Sequence, residues 1–262
     1  MAVSVSNWQD LVTEMNAARD SEIILTADID LNEYAETGIT ESLGNTSYTK
    51  TLDGYDSTTG KIHKIKNLYC RTNIDVFKGS SSKKVSISNV DFDGAYLQSG
   101  SLFTYANLSN CLINAEITDT YLANVGVAYE QCGIKVSGFG TTARLQYSTA
   151  SDVTPFRYSF CNIELNGAFS AIVMNLQNSY VSGDFTKGNS IFTLKNSSVA
   201  VFNATVTSES AMQAGSAKLL LVNSDRITLP QGSSLPDTVT PVTTTVLQSA
   251  GTLRDTYGFP IR

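Results

Sequence analysis

The sequence predicts an all-β protein wound as a parallel β-helix, a solenoid with a capping helix at its N-terminus and a tail at its C-terminus. Three observations carry this expectation. Short apolar runs alternate with polar turn residues throughout the 262-residue chain, in which Ser, Thr and Asn supply about three residues in ten. Charged residues make up only 16% of the chain, against roughly 25% in an ordinary domain. A weak internal repeat recurs at intervals near 21 residues. With 42% hydrophobic residues spread along its length, the chain does not read as a disordered polymer. It carries neither a glycine period nor a sustained heptad, which excludes collagen and coiled coil.

The first element is a helix. In 7–19, NWQDLVTEMNAAR, the residues Trp8, Leu11, Val12 and Met15 fall at i, i+3, i+4 and i+7 and form one apolar stripe. Ser6 and Gln9 have the spacing of a capping box. Residues 1–20 are therefore assigned as a cap, suited to covering the open end of a strand array. After Asp20 the period changes to two: Ile23, Leu25, Ala27, Ile29 and Leu31 alternate with polar residues, Ile24 apart.

The body, 21–229, carries the repeat. The segments NLYC (67–70), NVDFDG (89–94), NCLINAEI (110–117), CGIKVSG (132–138) and NIELNG (162–167) each open on Asn or Cys and continue with alternating apolar residues. Further copies are NSYVSGDF (178–185), NSSVAVFNA (196–204) and NSDRITL (223–229). Asn67, Asn89 and Asn110 lie 22 and 21 apart, and Cys132 lies 21 beyond Cys111. About 20 residues make one solenoid coil, and successive coils stack at the strand spacing of about 4.8 Å. Like residues then lie over like. Cys111-x-Ile113-x-Ala115, Cys132-x-Ile134-x-Val136 and Cys161-x-Ile163-x-Leu165 read as three inward positions repeated. Asparagines at the turn tolerate left-handed backbone and bond to the asparagine below. Roughly nine coils would stack to about 45 Å.

Two stretches break the rhythm. Residues 139–159 lengthen the interval between Cys132 and Cys161 and read as a protruding loop. It concentrates the side-chain types found at binding hot spots, and Arg144, Tyr147, Phe156, Arg157 and Tyr158 are its candidate partner-binding residues. Residues 230–262 lose the repeat. Pro230, Pro236 and Pro241 mark a linker, followed by a docking tail.

The bulk numbers exclude some functions. A net charge of −6 and a pI near 4.8 argue against nucleic-acid binding. No run approaches the roughly 18 apolar residues of a membrane span, so no membrane insertion is expected. MAVSVSNWQD lacks the features of a secretory signal peptide, so synthesis in a cytoplasm is expected. The four cysteines, Cys70, Cys111, Cys132 and Cys161, show no CxxC spacing and read as buried thiols, with no structural zinc and no disulfides expected.

The opening NWQDLVTEMNAARDSEIILTADIDLN resembles the cap helix and first coil of pectin lyase-like right-handed parallel β-helix proteins, and a diffuse resemblance runs over about 7–229. The ending LRDTYGFPIR resembles the tails of β-helix proteins encoded among bacteriophage and prophage structural genes. The second resemblance implies a virion component: a fibre, spike, or capsid or tail decoration protein, often a homotrimer, whose partners are other virion proteins. Enzymatic members of the wider fold imply an alternative, a tailspike-like protein that binds or cleaves a host surface glycan.

The residues weigh these readings. A Ser-His-Asp or Cys-His site needs a histidine, and only His63 exists, between lysines in a segment read as an exposed face. Asp91 and Asp93 flank Phe92 and should project together from one strand face; they are the alternative catalytic pair. Asp28 and Asp30 repeat the arrangement, and Asp53 and Asp56 lie in a turn. No polysaccharide-lyase pattern is matched, because Lys135 lacks an acidic cluster and Arg144 and Arg157 sit in the irregular loop. No phosphate-binding glycine motif is present, and neither metal nor cofactor is expected. The expected function is accordingly that of a non-enzymatic virion scaffold, with a glycan-directed enzyme as the alternative.

Overall fold

A computed structural model describes residues 2–147, 157–170 and 225 together with the strands at 173–177, 179–187, 193–194, 200–207, 220–223, 227–228 and 239–242. The chain is a parallel β-helix. Its strands stack into three walls: one of nine strands from Val3–Val5 to Thr193–Leu194, one of eleven from Ile29–Asp30 to Val239–Val242, and one of four from Asp75–Lys78 to Arg144–Gln146. Every pairing within these walls is parallel.

The inward triplets fall into columns. Ile113, Ile134 and Ile163 are consecutive register partners, as are Ala115, Val136 and Leu165, and all are at most 2% exposed. Ile65 and Phe92 extend the first column downward. Cys111, Cys132 and Cys161 precede equivalent strands in successive coils and are fully buried free thiols. Each donates from Sγ to the carbonyl two residues earlier, at 3.3 Å. Cys70 belongs to another column, opposite Leu97, where burial pushes its thiol up to about 12. Aromatic rings run through the core beside these columns. Phe92 meets Phe103 edge-on at 5.4 Å, Phe103 meets Tyr129 at 6.3 Å, and Tyr129 stacks on Tyr158 at 5.0 Å.

The asparagine pattern divides into two. Asn89 and Asn110 take left-handed backbone, φ +54° and +53°, at the corner between the first two walls. Asn110 Nδ2 donates to Asn89 Oδ1 at 2.5 Å, and Asn89 Nδ2 to Asp53 Oδ1 at 2.9 Å. Gln131 and Phe160 continue this corner in the same conformation. Asn67 does not stand in that column. It is a bulge inside Lys64–Cys70, aligned with Gly94, and both have positive φ. Asn67 and Asn89 share a backbone requirement, and that is why they look equivalent in sequence.

The helix spans Trp8–Asn16 and buries Trp8, Leu11, Val12 and Met15, as its stripe requires. Its cap is Asn7 rather than Ser6: Asn7 Oδ1 accepts from the Asp10 amide at 2.9 Å. A strand before it, Val3–Val5, pairs with Ser21–Leu25 and adds a rung that the sequence did not announce. The helix has no basic residue in its last turn. Lys50, fully buried, takes that role from the first wall. Its Nζ donates to the carbonyls of Glu14, Ala17 and Arg19 at 2.8–2.9 Å and to Ser21 Oγ at 3.0 Å. Burial lowers the Lys50 pKa below its ordinary value.

Candidate functional site

Outward residues of the second wall form ranks set by the same register. Lys64, Asp91, Leu112, Gly133 and Asn162 make one rank; Lys66, Asp93, Asn114, Lys135, Glu164 and Ser182 make the next. Between them lies an open cleft of about 320 Å³, walled by Asp91, Asn114, Lys135, Asn162, Glu164 and Ser182 over a floor that includes Leu112 and Gly133. Gly133 deepens it, because a Cβ there would meet Leu112 Cδ2 at 2.8 Å.

Asp91 and Asp93 do share one face, as alternation demands. Lys64 lies between them, with Nζ 3.1 Å from Asp91 Oδ2 and 3.0 Å from Asp93 Oδ2. Hydrogen bonds to Asp93 and then Asp91 hold the Lys64 pKa above its usual value. The pair is thus a surface ion-pair triad built on adjacent coils. Lys135 has an acidic partner after all, Glu164 Oε1 at 3.2 Å. The Asn166 amide and Lys135 hold the Glu164 carboxyl below its usual range against the opposing effect of burial.

The third outward rank begins with two tyrosines that sequence reasoning passed over. Tyr69 and Tyr96 are register partners with rings stacked at 4.8 Å and 12°. Arg71 lies over Tyr69 at 5.9 Å and donates to Gln98 Oε1 at 2.7 Å. The signal was the repeated Leu-Tyr-Cys (68–70) and Ala-Tyr-Leu (95–97), each a tyrosine between two buried positions.

Of the candidate residues at 139–159, the three with described side chains divide between the third wall and the core. Arg144 is half-buried in the third wall and donates from Nε to Ser170 Oγ at 3.1 Å. Tyr147 is 54% exposed, with its ring 5.0 Å from that of Tyr121. Tyr158 corrects the expectation of a surface residue: it is 1% exposed and stacked on Tyr129 inside the core, because 157–159 is a strand of the first wall. Arg157 begins that strand, while its side chain and all of Phe156 lie outside the described residues, as does the tail 243–262.

His63 is a second correction. It is 8% exposed and buried at the corner between the first two walls, although lysines flank it in sequence. The corner around it is enlarged. Ten residues, 54–63, separate Asp53 from Lys64 where the next coil uses two, 89–90. Within them Tyr55–Asp56 pairs with Lys61–Ile62 as a small antiparallel hairpin.

Comparison of the chain with protein-family models, with curated proteins and with solved structures finds no match in any of the three.

Proposed function

We propose that this chain is a bacteriophage virion structural protein of the pectin lyase-like β-helix kind, a fibre, spike or decoration component that works without turnover. In this reading it assembles with other virion proteins, as a homotrimer, after synthesis in the host cytoplasm. The observation that carries the scaffold role is the unbroken column of inward side chains from Ile65 through Phe92, Ile113 and Ile134 to Ile163. A stack locked in register holds surface residues at fixed positions, and several weak contacts on one rigid body raise avidity without a strong single contact. The phage context rests on the resemblance of LRDTYGFPIR. Protein composition of purified particles, with the oligomeric mass of the isolated chain, tests the reading. Fixed stoichiometry in particles and a trimeric mass are expected. A monomer absent from particles overturns it.

A second reading, binding or cleavage of a host surface glycan, is favoured by the second wall. Its cleft offers carboxylates, amides and an ammonium, and the same wall carries the Tyr69–Tyr96 stack, groups that suit a polyhydroxylated chain. Incubation with host capsule or cell-wall glycans, read as reducing-end release, separates the two. Release that is lost in Asp91→Asn and Asp93→Asn would establish the enzyme, and the scaffold reading expects none.

A further inference from the structure

The enlarged corner differs from its neighbours in chemistry as well as length. In the coils above it, the inward position just before the second wall holds Val90, Cys111, Cys132 and Cys161. Here it holds His63. The imidazole Nδ1 lies 3.3 Å from Asp28 Oδ1, in the turn that ends the first strand of the coil below. The other nitrogen, Nε2, is buried without a hydrogen-bond partner, 4.0 Å from Asp56 Oδ2 in the hairpin. One ring therefore stands between a carboxylate of the solenoid body and a carboxylate of the inserted hairpin.

The carboxylates and the second-wall lysines around this corner already have partners. Asp28 Oδ2 is paired with Lys66 at 3.0 Å, and Asp28 Oδ1 also accepts from the Lys64 amide. The Lys64 ammonium is turned to Asp91 and Asp93. Asp53 Oδ1 accepts from the Tyr55 amide and from Asn89. Asp56 accepts from the Thr58 amide and the Thr59 hydroxyl, and its strand partner is Lys61. The coil above places the uncharged Val90 at this level. A neutral imidazole has a single N–H. With that proton on Nδ1 facing Asp28, Nε2 turns a lone pair toward a carboxylate. A second proton, taken from solvent, gives each carboxylate a donor and breaks no covalent bond.

We propose that His63 is a pH-operated latch, which fastens the Tyr55–Ile62 hairpin to the solenoid when the ring is protonated and loosens it when the ring is neutral. The latch sets how the hairpin presents Tyr55 and Ile62, cross-strand partners that are 43% and 41% exposed. Both acceptors remain charged across the range in which an imidazole gains its proton. At Asp28 burial acts upward, but Lys66, the Lys64 amide and His63 together hold the carboxyl below its usual range. At Asp56 the Thr59 hydroxyl and Thr58 amide do the same.

Amide hydrogen exchange on the full chain, corrected for intrinsic rates and compared between about pH 5 and about pH 8, tests the latch. The reporters are the amides of Gly60 and His63, which donate to Asp56 O and Gly54 O across the hairpin. Protection at these amides is expected to be about tenfold greater at the lower pH, the worth of one charged hydrogen bond, while Ile134 serves as an unchanging reference. Asp56→Asn keeps the turn oxygen but removes the charge, and is expected to abolish most of the difference. Equal protection at both values in the wild type, or an undiminished difference in Asp56→Asn, overturns the proposal. Should Asp56→Asn fail to fold, His63→Gln serves: low protection at both values supports the latch, and a retained difference overturns it.

Discussion

Residues 85–146 and the coil beneath them reach order by different routes. In the upper coils a position is stabilised by its repetition: isoleucine rests on isoleucine, thiol on thiol, and the corner turns within two residues. At the base, single polar residues do work that nothing repeats. Lys50 closes the C-terminus of the cap helix, and His63 fills the corner where the hairpin leaves. Repetition suits a solenoid interior, because each coil finds the same surface above and below. An end has a neighbour on one side only, so its exposed edge and orphaned carbonyls need individual partners.

Substitutions can break this contrast at either place. The largest loss is expected for Phe103→Ala, about 4 kcal/mol in chemical denaturation, because Phe103 touches rings in three elements and leaves a cavity spanning coils. Lys50→Met keeps volume but strips the carbonyls of Glu14, Ala17 and Arg19, at the helix C-terminus and just beyond it, of their donor, and should cost about 3 kcal/mol. If the base is held by single contacts, this variant alone should also shift toward higher mass in size-exclusion chromatography as the cap loosens. At the corner, Asn110→Ala loses the bond to Asn89 and strains a residue at φ +53°, for about 2 kcal/mol. Asn110→Gly relieves the strain and should recover about half of that.

Acid titration acts on the surface of both regions. Asp30 is held below its usual range by the Asn67 amide and Asp119 by the Thr142 and Thr141 amides. Each folded value lies below the unfolded one, so these groups stabilise the fold above the unfolded value and the contribution disappears as pH falls through the folded one. Melting temperature should be level from neutrality down to about pH 5 and fall below about pH 4. A fall already complete above that range would mean that other groups govern acid unfolding. The smallest effect is expected for Lys64→Met. Its side chain is 38% exposed, and the triad with Asp91 and Asp93 should contribute no more than about 0.5 kcal/mol, vanishing in high salt.

The same contrast decides what could be read in advance. Cys-x-Ile-x-Ala and its two successors identified the inward columns, since stacking writes itself into sequence as recurrence. The helix stripe was equally plain. Residues used once leave no such trace. Asn67 was aligned with Asn89 because both adopt left-handed backbone, and only register separates a bulge from a corner. His63 and Tyr158 were read from charged or loop-like neighbours, yet alternation turns each of them inward. The Lys64 bridge joins residues 27 and 29 apart, a contact that only the stacking distance creates. The cleft likewise depends on a glycine whose meaning comes from the leucine one coil away.

The hairpin at 54–63 shows how freely this architecture can grow. Lys50–Asp53 meets Val85–Ser88 and Lys64 meets Asp91 in continuous register, as though the intervening residues had not been added. A corner thus accepts extra length at no cost to the ladder, and a foreign peptide spliced between Ser57 and Gly60 would be carried on the outside like a flag on a mast.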